Sequence, residues 1–297
     1  MSRAERADDD QFVVHRSLLF TVAYELLGSA ADAEDVLQES WLRWASIDPA
    51  EIREPRAYLV RIVTRQALNH LRTVSRRREE YVGQWLPEPL LTSPDIAEDV
   101  ELAENLSIAM LTVLETLGPA ERAVFVLREV FDLPYEEIAD AVGKTPAAVR
   151  QIAHRAKEHV SARRPRVQVR GSEHEAVVDR LVVAMNTGDF QGLMDVLAPD
   201  VVSVADGGGK VRGAARRSII GADKLARYLI GGMAKVEGEL VASTTWVNGQ
   251  RCIRAELDGQ LVGITSLTVE NGRITRIYSI ANPDKLSRLD KAVDLRR

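Results

Sequence analysis

Apolar side chains recur with helical spacing through the first half of the chain. Leu18, Val22 and Leu26 are each four residues apart, so they form one stripe of a helix. The periodicity predicts a helix over residues 12–27, and Gly28 is a common C-terminal stop. Because a helix of this kind buries one face, we expect the first half to be a helical bundle.

A second helix is predicted to start at Ser29, which forms a capping-box pattern with Asp32. Its expected apolar side consists of Ala33, Val36, Leu37, Trp41 and Trp44. Its polar side carries side chains spaced to share one face, namely Asp32, Asp35, Gln38 and Glu39. Taken by itself, this face is either an ordinary solvated surface or a docking surface for a basic partner.

A third helix is predicted from Pro55, which suits a first helical turn, to about Arg76. At about 100° per residue, four arginines fall within a stripe about 60° wide. They are Arg61, Arg65, Arg72 and Arg76. A solvated helix normally carries glutamates that pair with such arginines, and this stripe has none. The stripe therefore favours contact with a phosphate backbone.

Residues 134–160 have the spacing of a helix-turn-helix. Gly143 and Lys144 form the turn, and Thr145 is an N-cap followed by a proline. The outer face of the second helix carries Arg150, Gln151, His154, Arg155 and Lys157. Because such side chains can read base edges in the major groove, DNA binding is favoured over a plain packing unit. No cysteine lies near His154, which favours a DNA contact over a metal ligand.

The second half of the chain has a mixed pattern. Helical segments are predicted at 173–187, 190–197 and 223–234, whereas short runs typical of strands follow from Glu239 onward. Residues 270–273 are predicted to form a hairpin turn. Helices followed by an antiparallel sheet favour the α+β class.

Charge is segregated along the chain, although the totals of 39 basic and 44 acidic residues nearly cancel. Residues 53–78 hold eight arginines and one acid, residues 79–121 hold ten acids and no lysine or arginine, and residues 143–170 hold eight basic residues and one acid. Two basic blocks separated by an acidic one predict two nucleic-acid-binding modules and a linker.

The single cysteine, Cys252, excludes an intramolecular disulfide and a Cys-based zinc finger. We expect neither a metal site nor a cofactor. No apolar run approaches the roughly 18 residues of a membrane span, and the charged N-terminus lacks the apolar stretch of a signal peptide. We therefore expect a cytoplasmic protein that does not contact a membrane.

Two regions resemble the sigma-70-type initiation factors of the extracytoplasmic-function class. Residues 32–39, DAEDVLQE, are similar to the region 2 motif that docks on the β′ clamp of RNA polymerase. Residues 55–72 resemble the region 2 helix that engages the −10 element, and residues 133–160 resemble region 4, which reads the −35 element. The resemblance implies polymerase-binding roles for Asp32, Glu34, Asp35, Gln38 and Glu39. It implies DNA-binding roles for Arg61, Arg65, Asn69, Arg72, Arg76, Thr145, Arg150, Gln151, His154, Arg155 and Lys157.

The second half resembles the SnoaL-like, ketosteroid-isomerase-like cone, through residues 177–209. Three segments, 85–90 (WLPEPL), 206–210 (DGGGK) and 282–286 (NPDKL), match the subgroup of these sigma factors with a fused SnoaL-like extension. The resemblance implies that the extension regulates from within, in place of a separate anti-sigma protein. It implies regulatory contacts at Trp85, Leu86, Pro87, Glu88, Pro89, Asp206, Gly207, Gly208, Gly209, Lys210, Asn282, Pro283, Asp284, Lys285 and Leu286.

A cone of this kind can be an enzyme, but its sequence shows no acid/base constellation. Asp206 is a candidate for an inward carboxylate, His174 is the only histidine of this half, and Tyr228 and Tyr278 are its only tyrosines. We therefore expect no enzymatic activity. A pocket that binds a small ligand and a purely structural role both stay open.

These patterns predict a multidomain chain with two all-α sigma modules and an α+β cone-shaped barrel. The expected parts are region 2 at 8–80, an acidic linker at 81–105, region 4 at 106–165, the SnoaL-like domain at 171–286 and a tail at 287–297. We expect a sigma factor, monomeric when free, that binds core RNA polymerase and promoter DNA and in which the cone contacts the linker segment 85–90. The alternative is a SnoaL-like enzyme or ligand sensor fused to a DNA-binding regulator that never touches polymerase.

Overall fold

The computed structural model describes residues 10–48, 52–79, 81–98, 100–163, 171–289, 292–293 and 295–296, with the backbone alone at 74–79, 97–98 and 100. The chain forms two compact units. Unit 1 comprises residues 1–79, 113–163 and 294–297, and unit 2 comprises residues 80–112 and 164–293. Among the predicted domain ends, residues 8, 80, 165 and 297 lie outside the described residues.

The helices of the described chain are α1 (Gln11–Val14), α2 (Arg16–Leu27), α3 (Ala30–Trp44), α4 (Pro55–Glu79), α5 (Val100–Leu106), α6 (Ile108–Leu114), α7 (Pro119–Phe125), α8 (Tyr135–Val142), α9 (Pro146–Ser161), α10 (Gly171–Thr187), α11 (Phe190–Val196), α12 (Ala222–Met233) and α13 (Pro283–Leu286). A 3₁₀ helix (Pro94–Glu98) precedes α5, and a π-helical turn (Val126–Val130) follows α7. None of the described helices is long and apolar enough to cross a membrane.

The strands are β1 (Leu197–Asp206), β2 (Ile219–Ile220), β3 (Leu240–Val247), β4 (Gln250–Leu257), β5 (Gln260–Glu270) and β6 (Arg273–Ile280). They form one sheet in the order β2-β1-β6-β5-β4-β3. β1 and β6 are parallel and the other neighbours are antiparallel. β1 and β2 precede α12, whereas the sequence pattern predicted strands only from Glu239 onward. The helices α10, α11 and α12 together with this sheet confirm the predicted α+β class of the second half, and the helical first half is likewise confirmed.

Several helix ends in unit 1 follow local capping signals. Gly28 ends α2 with φ 67°, and the Ser29 hydroxyl accepts from the Asp32 amide at 3.2 Å to start α3. The predicted helix over 12–27 is wrong in one respect, because it is interrupted at His15. Asp10 accounts for the separate α1, since its Oδ1 accepts from both the Phe12 amide and the Trp44 indole at 2.9 Å.

The core of unit 1 joins the two predicted modules. Helix α4 packs on α2 and α3 and also on α7 and α8. Its apolar stripe of Leu59, Val63, Ala67 and Leu71 is buried. The region 4 segment therefore lies directly against the long region 2 helix within this unit.

In unit 2, an apolar core lies on each face of the sheet. Neighbouring residues of a strand point to opposite faces. Ile253 belongs to a core shared with α10, α11 and α12. Cys252 belongs to a second core that includes Leu86 of the linker and Ile108 of α6. The linker is thus part of the folded body of unit 2.

Candidate nucleic-acid interface and linker site

The predicted polymerase-binding residues of α3 divide into two groups. Asp35 and Gln38 are exposed, and Glu34 forms a bidentate pair with Arg16 at 2.7 and 2.9 Å. Asp32 and Glu39 contact α4, although Glu39 is also exposed. Asp32 Oδ1 lies 3.0 Å from His70 Nε2, and Glu39 Oε2 accepts from Gln66 Nε2 at 2.8 Å.

A groove of about 440 Å³ runs beside Glu34 and Asp35. Its lining consists of Phe12, Val13, Arg16, Glu34, Asp35, Leu37, Gln38 and Trp41. The prediction that Trp41 belongs to the buried side of α3 is wrong, because its side chain is 45% exposed, and Val13 is 51% exposed. The separate α1 places Val13 along the groove with Trp41. An acidic rim around exposed apolar side chains is typical of a protein-binding surface.

The arginine stripe of α4 has local partners. The guanidinium of Arg61 lies over the Tyr58 ring at 4.9 Å, and Arg72 donates to Asn69 Oδ1 at 3.1 Å. Arg65 donates to the backbone carbonyl of Asp140 at 2.7 Å. The side chain of Arg76 lies outside the described residues.

The contact of Arg65 has a simple physical cause. Asp140 lies in the last turn of α8, where carbonyl groups lack an intrahelical partner and the helix dipole favours a cation. Arg65 supplies both a donor and a positive charge there. The residue predicted to contact the −10 element is thereby engaged with the first helix of the region 4 helix-turn-helix.

The outer face of α9 is exposed, as the sequence pattern predicts. The exposed side chains are Thr145, Arg150, Gln151, His154, Arg155 and Lys157. Arg150 is 3.2 Å from Glu136, and Lys157 is 2.7 Å from Glu129. The Thr145 hydroxyl accepts from the Ala148 amide at 3.3 Å, so this side chain caps the helix. Exposed ion pairs of this kind contribute little to stability and can exchange for phosphates.

The predicted regulatory segments meet at Asp206, which is fully buried at the end of β1. Its carboxylate accepts from the Tyr81 hydroxyl at 2.5 Å, the Leu86 amide at 2.9 Å and Lys285 Nζ at 2.7 Å. It also accepts from the Gly208 amide at 3.0 Å. One carboxylate thus joins the linker, the turn after β1 and α13.

Lys285 supplies the positive charge that pairs with Asp206. It is almost completely buried, and its Nζ lies 4.1 Å from the centre of the Trp85 ring. Nζ also donates to the Leu86 carbonyl. Asn282 caps α13 with its side-chain oxygen and donates to the Tyr81 hydroxyl at 2.8 Å. A buried ammonium is tolerated here because a carboxylate, a carbonyl and an aromatic face surround it.

The remaining residues of the three segments are placed as follows. Leu86, Pro87, Glu88, Pro89 and Leu286 are buried, Gly207 and Gly208 are half-buried, and Gly209, Lys210, Pro283 and Asp284 are exposed. Lys210 Nζ lies 2.7 Å from Asp284 Oδ1. A Cβ at Gly208 would lie 2.5 Å from Asn282 Nδ2, so only glycine fits against the start of α13.

Sequence reasoning missed a second linker contact at the tip of the β3–β4 hairpin. Asn248 Oδ1 accepts from the Leu90 amide at 2.8 Å, and Asn248 Nδ2 donates to the Leu106 carbonyl at 2.9 Å. The Gly249 amide donates to the Thr92 hydroxyl at 3.1 Å. The Asn-Gly pair signals a tight turn, but its side-chain partners are 142 and 158 residues away and leave no local pattern.

Tyr81 and the pair Glu25–Arg122 were also missed. Burial, together with the Asp206 carboxylate, holds the pKa of Tyr81 well above its ordinary value. Burial raises the pKa of Glu25 to about 8, and burial lowers the pKa of Arg122 to about 9. Apolar periodicity gives no signal for a charged residue that is buried by a segment distant in sequence.

The buried titratable groups of the α+β domain are already engaged. Asp206 accepts bonds at both carboxylate oxygens and faces the linker, and His174 lies 3.4 Å from the Leu267 carbonyl. Burial raises the pKa of Tyr278 and raises that of Cys252 to about 12. In the part of the chain that the structure describes, no group of His, Cys, Asp and Glu residues could hold a metal ion.

Comparison with known proteins gives consistent results. Residues 12–77 match the model of sigma-70 region 2, and residues 107–160 match that of sigma-70 region 4. The chain is 39% identical to the ECF RNA polymerase sigma factor SigJ of Mycobacterium tuberculosis, across 93% of this chain and 92% of SigJ. It is 32% identical to the probable ECF RNA polymerase sigma factor SigI of the same species, across 93% of each. The crystal structure of the extracytoplasmic function sigma factor SigJ superimposes with a TM-score of 0.74 and 35% identity, covering 93% of this chain and 97% of SigJ. The chain therefore belongs to the extracytoplasmic-function class of sigma-70-type RNA polymerase sigma factors.

Proposed function

We propose that this sigma factor binds core RNA polymerase through the groove between α1 and α3. The observation that carries the proposal is the exposed pair Val13 and Trp41 beside the acidic residue Asp35 and the polar residue Gln38. Apolar anchors with a charged rim suit a helical partner with basic side chains. The predicted polymerase residues Asp32 and Glu39 have a positioning role in this proposal, because both contact α4.

We propose that the α4 stripe engages the −10 element and that the exposed face of α9 engages the −35 element. Positions −10 and −35 are about 25 base pairs apart, which corresponds to about 85 Å of duplex at about 3.4 Å per base pair. Arg65, however, lies 2.7 Å from the Asp140 carbonyl of α8. Both elements can therefore be bound together only after α4 and α8 separate.

The regulation that we propose acts through the linker. Tyr81, Leu86 and Leu90 of the linker bond to the α+β domain at Asp206, Lys285 and Asn248 respectively. While these bonds hold, the linker cannot extend, and the reach between the two DNA-binding modules is restricted. Undocking would lengthen that reach. A separate anti-sigma protein has no role in this scheme.

In this proposal the α+β domain carries out no chemistry. An isomerase-type base must be free to take a proton from a substrate. The carboxylate of Asp206 instead accepts from Tyr81, Leu86 and Lys285, and it faces the linker. We propose that regulation is the role of this domain.

Binding to core polymerase tests the proposed function. Labelled full-length protein is titrated with bacterial core enzyme at two salt concentrations, as wild type and as Asp35→Arg. The control is Asp200→Arg, which changes the charge equally at an exposed site in unit 2. We expect weaker binding for Asp35→Arg alone. No binding by the wild type would favour a DNA-binding sensor that never meets polymerase.

A further inference from the structure

The segment that follows β1 is strongly basic. Residues 207–218, here called the basic loop, contain Lys210, Arg212, Arg216 and Arg217 and no acidic residue. The remainder of this half of the chain is close to neutral, so the positive charge is concentrated locally. Neither the SnoaL-like resemblance nor the linker contacts account for these arginines.

The three arginines of the basic loop are available to a partner. Arg212, Arg216 and Arg217 are exposed. Lys210 is paired with Asp284, but no carboxylate in the described ranges lies within ion-pair distance of the three arginines. Exposed cations on an ordinary solvated surface are usually interspersed with acids, and here they are not.

The fold fixes where the basic loop lies. The Lys210 amide donates to the Gly207 carbonyl at 2.9 Å, and the Tyr228 hydroxyl donates to the Gly213 carbonyl at 2.6 Å. A Cβ at Gly209 would lie 2.9 Å from the Cβ of Val82. The arginines are therefore presented from a loop that is anchored at its start and at its middle.

We propose that the basic loop binds the phosphate backbone of duplex DNA, as a third DNA contact besides α4 and α9. Arginine offers a planar set of donors that matches phosphate oxygens, and three exposed guanidinium groups on one short loop suit adjacent phosphates. The loop carries no aromatic side chain that could stack on a base. The contact is therefore independent of base sequence. This inference rests on the proposed function, which brings the whole chain to promoter DNA.

The salt dependence of DNA binding tests the proposal. Full-length protein is titrated into a labelled 40-base-pair duplex of random sequence at several potassium chloride concentrations, as wild type and as Arg212→Gln/Arg216→Gln/Arg217→Gln. Each lost phosphate contact lowers the slope of log affinity against log salt by about 0.9, so we expect a decrease of about 2.7. The control is Arg180→Gln/Lys235→Gln/Arg288→Gln, which removes the same charge from exposed positions of unit 2.

An unchanged slope in the loop variant would overturn the proposal, as would equal decreases in both triple variants. Absence of binding by the wild type at the lowest salt concentration would also overturn it. If the loop variant lost affinity for core polymerase while its DNA slope stayed unchanged, the partner would be an acidic protein surface instead. Because the Asp35→Arg experiment uses polymerase without DNA, failure of the proposed function is distinguishable from failure of this inference.

Discussion

Arg122 of α7 donates through Nε to the backbone carbonyl of Glu25 in α2, at 2.8 Å, and both side chains are buried. A second nitrogen of the same guanidinium pairs with Glu115. The carboxylate oxygens of Glu25 lack a hydrogen-bond partner among the described residues. Region 4 thus places a cation inside region 2, beside a carboxyl group that has little access to water.

This arrangement predicts that unit 1 loses stability as pH rises from about 6.5 to 8. Burial raises the pKa of Glu25 to about 8 in the folded state, whereas in the unfolded state its pKa is near the ordinary value of 4.5. The folded state therefore holds one more proton in this range, and raising the pH favours unfolding. Glu25→Gln replaces this titratable group by a neutral amide. Its melting temperature, measured by calorimetry, should therefore change less between pH 6.5 and 8 than that of the wild type.

The sign of the pH dependence distinguishes Glu25 from the histidines. Burial lowers the folded pKa of His15 and His174, so their contribution to stability rises with pH as the unfolded imidazoles deprotonate around pH 6.5, and it is the same in wild type and Glu25→Gln. Arg122 has its folded pKa near 9, above the range tested. An equal fall of melting temperature in wild type and Glu25→Gln would contradict the assignment.

Replacement of Asp206 by asparagine, a change of similar size, is predicted to destabilise unit 2 strongly. Asp206→Asn leaves the buried Lys285 ammonium without its carboxylate, and breaking a buried pair in this way costs about 3–5 kcal/mol. We expect a lower melting temperature for unit 2 and faster proteolytic cleavage in residues 81–92. Asp195→Asn, at an exposed position, is the matched control. Cleavage at the wild-type rate would show that this cluster does not hold the linker.

Two substitutions of Asn248, at the tip of the β3–β4 hairpin, distinguish the contribution of backbone strain from that of hydrogen bonding. Asn248 has φ 54°, a conformation that favours glycine over alanine by about 1 kcal/mol. Asn248→Ala and Asn248→Gly both lose the side-chain bonds to Leu90 and Leu106, each worth about 1 kcal/mol. We expect both variants to be less stable than wild type in urea unfolding, with alanine the worse. Equal stability of the two variants would refute the contribution of the backbone.

The sequence predicts the helices and strands of this chain better than it predicts which of their side chains are buried or in contact with distant residues. Helix ends at Gly28 and Thr145 rest on local capping chemistry, and the structure has them where the sequence indicates. The charge of Arg65 is also evident from sequence, but its bond to Asp140 depends on a helix 75 residues away. Trp41 fits the apolar periodicity of α3, yet α1 leaves it exposed beside the groove. Tertiary packing decides such positions, and a single sequence does not report it.

The exposed Trp41 gives the last prediction. Large aromatic side chains at the centre of an interface typically cost at least 2 kcal/mol when truncated, which corresponds to about 30-fold in affinity. Trp41→Ala should therefore weaken binding to core polymerase by about that factor. Because the side chain is 45% exposed, the melting temperature should change little. Leu42→Ala is the matched control, since Leu42 is 59% exposed and does not line the groove. Equal affinities for Trp41→Ala and Leu42→Ala would exclude the groove as the anchor.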